Sequence, residues 1–180
     1  MSESSQKIAE GGKTRARQSF RVVLIKPSHY DDDGYVIQWY RSAIPSNTLA
    51  SLYGLVKGAA QSHALGPEID IVIDAYDETN TIIPIKQIVA DIEAADQGVV
   101  GLVGVQTNQF PRAVDIARRL RERGIQVAIG GFHVSGCIAM LPELPADIQE
   151  AMYLGITFYA GECENRIEEF LNDAWNGEMK

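Results

Sequence analysis

Five short apolar runs, each followed by a stretch of helical periodicity, constrain this chain more than any other feature. The runs are RVVLIKP (21–27), EIDIVIDAYD (68–77), VVGLVGVQT (99–107), IQVAIGG (125–131) and ITFYAGE (156–162). They are short, rich in β-branched residues and almost continuously apolar, as strands covered on both faces are. Between the first two, SNTLASLYGLVKGAA opens with Ser46 as an N-cap and places Leu49, Leu52, Tyr53 and Val56 on one face. Pro84 opens a second helix, with Ile85, Ile88, Val89 and Ile92 aligned. FPRAVDIARRLRERG carries Pro111 in its first turn and Gly124 as its stop. A fourth helix begins near Pro145, and ENRIEEFLNDAWNG turns Ile167, Phe170, Leu171 and Trp175 inward. Strands alternating with helical crossovers predict an α/β fold: a doubly wound, five-stranded parallel sheet with helices on both faces.

With 180 residues the chain can bury one sizeable core without staples. Residues 1–19 read as a disordered basic leader and 20–180 as one domain. The net charge is −8, yet residues 1–21 hold Lys7, Lys13, Arg15, Arg17 and Arg21 against only Glu3 and Glu10. The acidic body argues against nucleic acid as a partner. Cys137 and Cys163 are too few for a disulfide framework or a four-cysteine zinc site. No apolar run reaches the ~18 residues of a membrane span, and the N-terminus lacks a signal-peptide core. The expectation is a cytoplasmic protein without a membrane partner.

Doubly wound sheets bind ligands beyond the carboxyl ends of their strands. Those ends are Ser28, His29 and Tyr30; Asp77 to Asn80; Gln106 to Gln109; Gly130 to Gly136; and Gly161 to Glu164. The stretch after the first strand, PSHYDDDG, is neither GxGxxG nor a P-loop, which disfavours dinucleotides and P-loop nucleotides. It is not a hydroxyl-rich FMN loop either, and Gln106 and Thr107 stand where a receiver domain has its acceptor Asp. Gly130, Gly131 and Gly161 serve either as tight turns or as room for a ligand to approach the backbone. Thr107 and Asn108 either cap the following helix or offer polar groups to a ligand. His133 reads as a backbone-bonded turn residue or a ligand contact. Tyr35, Trp39 and Tyr40 either cover the core or form a lid or interface. Asp31 to Asp33 and the run Arg118, Arg119, Arg121, Arg123 read as solvated.

The ordered set VVLIKP, DIVIDAYD, VGLVGVQT, VAIGGFHVS and YAGECE resembles the N-terminal cobalamin-binding domain of cobalamin-dependent radical SAM enzymes, over about residues 20–177. In that family the fourth strand ends in GG-x-H followed by Ser or Thr, matched by Gly130, Gly131, His133 and Ser135. The fifth ends in a GEGE-like turn, matched with one departure by Gly161, Glu162, Cys163 and Glu164. IPSNTLASLYGL is similar to the family's first helix, near the corrin. The resemblance implies a flavodoxin-like strand order of 2-1-3-4-5 with the corrinoid on the carboxyl edge. Its nucleotide tail would run beside strands one, three and four, past Gly130, Gly131 and Gly161, with Thr107 and Asn108 bonded to it. Ser28, His29 and Tyr30 would border the ring, and His133 and Glu162 would complete the cofactor-binding set. It further implies that a bulky residue at Gly131 abolishes binding without unfolding the domain.

Two departures narrow that expectation. The DxHxxG motif whose His ligates cobalt in other cobalamin domains is absent: Pro27 precedes His29 by two residues and Asp32 follows it by three. The resemblance therefore implies base-off cobalamin without a protein metal ligand. Two cysteines also cannot hold the three-cysteine cluster of radical SAM chemistry. The 4Fe–4S cluster and SAM would sit on a radical SAM barrel in cis or in trans, and no residue of this chain is assigned a catalytic role. The reaction implied is methyl transfer. The alternatives are a cofactor-free flavodoxin-like interaction domain and a stand-alone corrinoid carrier.

Overall fold

The computed structural model describes residues 17–40 and 46–179. Five strands, β1 (Gln18–Lys26), β2 (Ile69–Asp77), β3 (Gln97–Leu102), β4 (Gln126–Gly130) and β5 (Thr157–Tyr159), form one parallel sheet in the order β2-β1-β3-β4-β5. Six helices connect and flank them: α1 (Asn47–Gln61), α2 (Ile85–Glu93), α3 (Phe110–Arg121), α4 (Phe132–Met140), α5 (Ala146–Tyr153) and α6 (Ile167–Asn176). The strand–helix alternation predicts the doubly wound parallel sheet, and the open, flavodoxin-like strand order is the one the resemblance implies. Among the described residues no helix is long and apolar enough to cross a membrane.

Local chemistry explains most boundaries. The Ser46 side chain accepts the Leu49 N–H at 3.2 Å, closing the first turn of α1. Gly124, at φ +74°, ends the turn after α3 so that Ile125 can enter β4. β1 starts at Gln18, three residues before the apolar run, because Gln18 donates to the Glu68 carbonyl and Ser19 to the Asp96 carboxylate. Residues 18 and 19 thus belong to the sheet and not to the leader. Residues 1–16 of the leader and residues 41–45 of the long first loop lie outside the described residues. Tyr53 departs from its expected inward place: Leu55, Val56 and Ala59 face the sheet, while Tyr53 is 37% exposed.

One helix escapes the periodicity. FHVSGCIAM forms α4, where the pattern predicts only a loop. It has Gly and β-branched residues, poor helix formers, and buries only Val134. Its first turn closes on itself, Ser135 N–H donating to the Gly131 carbonyl, and one tertiary bond ties it down, from His133 N–H to the Val105 carbonyl.

The sheet separates two apolar layers. Val23 and Ile25, Val100 and Leu102, and Val127 and Ile129 point one way, into α2, α3 and α5. Phe20, Val22 and Leu24, with Val99 and Val103, point the other way, toward α1 and α6. The period-two alternation of strands makes this partition.

Candidate functional site

The α1/α6 face is incomplete at its carboxyl end. There the alternation presents Gly101 from β3 and Ala128 and Gly130 from β4, while the bulky neighbours Leu102 and Ile129 turn to the other layer. These three neighbouring small positions leave the helices without a side chain to pack on at this end of the sheet. A cavity of about 560 Å³ remains between sheet, α1 and α6, opening at the carboxyl edge. That volume lies within the range of small-molecule sites.

Its walls are chemically mixed. α1 contributes Asn47, Thr48, Ser51 and Leu52, and α6 contributes Ile167 and Phe170. Ser135 of α4, Tyr159 of β5 and the loop Gly161 to Glu164 close the far side. Ser135 Oγ accepts the Gly161 N–H at 3.2 Å. Its own proton finds no acceptor among the described residues, so this hydroxyl can donate to a guest. Burial pushes Tyr159 up to about 12, with Cys163 reinforcing the shift. Burial also raises the Cys163 thiol, against the opposing hydrogen bond from Tyr159. Cys163 therefore meets the cavity as a neutral thiol.

The structure sorts the residues singled out from the sequence into three places. Gly130, Gly131, Gly161 and Glu162 line the cavity. Thr107 and His133 lie together outside it, with Nδ1 of His133 3.3 Å from the Thr107 hydroxyl. The His133 ring packs on Phe110 at 4.6 Å, and its buried Nε2 has no hydrogen-bond partner, with Asp147 Oδ2 3.8 Å away. His133 sits in the first turn of α4 rather than in a loop. Asn108 is exposed in the 3₁₀ turn Thr107–Gln109 and does not line the cavity, whereas Gln106 does.

Ser28, His29 and Tyr30 belong to a third place. Glu78, almost wholly buried, accepts Arg112 Nη2 at 2.6 Å and Nε at 3.1 Å, and the Ser28 N–H at 3.0 Å. The Tyr30 hydroxyl donates to Asp115 at 2.6 Å, and the Arg112 guanidinium lies 5.7 Å from the Tyr30 ring centroid. Burial works against the Arg112 charge, but the Glu78 and Tyr30 bonds outweigh it and hold the guanidinium above its usual range. Burial, aided by the Asp115 bond, also raises Tyr30. His29 is fixed between these anchors, its carbonyl accepting the Ile37 N–H at 2.9 Å. None of the three lines the cavity.

The expectation for Gly131 is corrected. Its φ is +145°, and a Cβ there would lie 2.2 Å from the Val105 nitrogen and 2.7 Å from its oxygen. Gly131 lets the β3–α3 and β4–α4 connections cross backbone to backbone, so a bulky residue disrupts the fold itself. Gly130 is the better probe. A Cβ there makes ordinary contact with Tyr159, and a longer side chain enters the cavity.

Sequence reasoning placed the segment IPSNTLASLYGL near the ligand through the resemblance but did not single out Thr48 or Ser51 within it. Both stand on the exposed side of α1 by periodicity, and only the hollow beneath makes them walls. Among the described residues no three His, Cys, Asp or Glu side chains gather as a metal site. No protein-family model matches the chain, and no curated protein matches it.

Proposed function

We propose that the chain binds cobalamin, with the nucleotide tail in the α1/α6 cavity and the macrocycle over the carboxyl edge, and presents it to a separate radical SAM barrel for methyl transfer. The supporting observation is the cavity floor of Gly101, Ala128 and Gly130, a flat cradle that any larger side chain would fill. Flat heteroaromatic groups suit such a floor, and the free donor of Ser135 suits a ring nitrogen. Thr48, Ser51 and Gln106 supply further polar contacts along the walls. When bound, the cofactor supplies a cobalt centre that carries a methyl group. This chain's residues hold the tail, exclude water from the cavity and leave the edge open.

The test is titration with hydroxocobalamin, gel filtration and a visible spectrum of the protein fraction. Retention with a base-off spectrum is expected, and Gly130→Leu should lose it while keeping the circular dichroism of the parent. Retention by Gly130→Leu equal to the parent would overturn the tail assignment. A second reading, a cofactor-free interaction domain, is favoured by the exposed aromatic loop after β1. It predicts no retention at all.

A further inference from the structure

The loop after β1 is anchored far more firmly than a surface connection requires. Residues 28–38 fold back as a short hairpin: Tyr30 bridges Val36, and Asp31 exchanges backbone bonds with Tyr35 and Gly34. Gly34, at φ +85°, makes the tip turn possible. Beneath it lie the buried Glu78–Arg112 pair and the Tyr30–Asp115 bond. Gln38 bonds the Glu78 and Thr81 carbonyls, and Trp39 N–H bonds the Thr79 carbonyl. A buried ion pair is weak evidence for stability and better evidence for a fixed geometry.

That geometry does not serve the core. Tyr35 is 72% exposed, Trp39 64% and neighbouring Ile82 79%. The same hairpin carries Asp32 and Asp33 at its tip, neither with an ion-pair partner among the described residues. Among the described residues, Lys26 and Arg112 near this sheet edge are already paired with Asp77 and Glu78. Asp32 and Asp33 stand two or three residues before the exposed Tyr35, and Trp39 follows at the foot of the same loop; carboxylates and aromatic faces on one loop complement guanidinium groups, which pair with carboxylates and stack on aromatic faces. Because the loop is already ordered, binding forfeits little conformational entropy.

We propose that this hairpin is a docking knob for an arginine-bearing segment of another protein. The proposal does not depend on cobalamin binding. Nona-arginine serves as the probe, with Trp39 fluorescence and calorimetry at low salt as readouts. Trp175 is a separable background, set edge-on against Phe20 at 5.6 Å, and Trp39→Phe identifies its share. Trp39→Ala should weaken binding about tenfold or more. Asp32→Asn with Asp33→Asn should weaken it about fivefold, and nona-lysine should bind less tightly than nona-arginine. Glu168→Gln with Glu178→Gln removes the same charge from the α6 region and should change affinity less than about twofold. Equal losses from the two charge pairs would reduce the effect to net charge and overturn the proposal. Trp39 quenching by a neutral oligosaccharide but not by nona-arginine would also overturn it.

Discussion

The two faces of the sheet are built from the same strands and end differently. On the α2/α3 face, Val100, Leu102, Val127 and Ile129 fill every position up to the carboxyl edge. On the α1/α6 face, the alternate positions of the same segments are Gly101, Ala128 and Gly130, and a hollow results. The difference teaches that a binding cavity in this fold is made by leaving out side chains on one register of two strands. It requires no change of topology.

Substitutions separate the faces most sharply where backbone is concerned. Gly131→Val should have the largest effect. It forces a Cβ into the Val105 backbone at an unfavourable φ, and loss of the cooperative thermal transition is expected, beyond ~4 kcal/mol. Next comes the filled face. Leu102→Ala, at a fully buried site, should lower stability by about 2–5 kcal/mol in urea melts. The same experiment on the hollow face should give little: Gly130→Leu is expected to stay within about 1.5 kcal/mol of the parent. A loss as large as that of Leu102→Ala would mean the hollow is too small for a guest.

A smaller effect follows from titration at the cavity wall. Folding raises Tyr159 from 10.0 to about 12, so the folded state holds this proton more tightly than the unfolded chain. The contribution is whole below pH 10, declines as pH rises through the folded value and is gone above it. Tyr30, Tyr76 and Cys163 shift in the same direction. Urea midpoints should fall between pH 10.0 and about 12, and Tyr159→Phe should flatten that fall. An unchanged slope in Tyr159→Phe would place the burial elsewhere. Smallest is the thiol. Cys163 should react slowly with a disulfide reagent at neutral pH, faster as pH rises, and more slowly still when hydroxocobalamin occupies the cavity.

The sheet was legible because its signals are local: β-branched runs, Ser46 as cap, Pro84, Pro111 and Pro145 at helix starts. α4 was not, because FHVSGCIAM has low helix propensity and is tied by His133 N–H to the Val105 carbonyl, a contact 28 residues away that no local pattern carries. Of the candidate site, the Gly130 to Gly131 and Gly161 to Glu162 ends could be read as turn residues at strand ends. That Gly101 and Ala128 form a floor with Gly130 depends on the register between β3 and β4, where Gly101 opposes Ala128. No single segment carries that information. The partnership of Glu78 with Arg112 likewise joins residues 34 positions apart, and nothing local announces it.

The amide of Ser28 has a consequence of its own. It is buried and donates to a carboxylate of the anchoring pair, not to a neighbouring strand. Its exchange with deuterated water is gated by release of that carboxylate, while the amides of Val23 and Leu24 exchange only when the sheet opens. One backbone proton therefore reports the share of time that the hairpin spends released from its base.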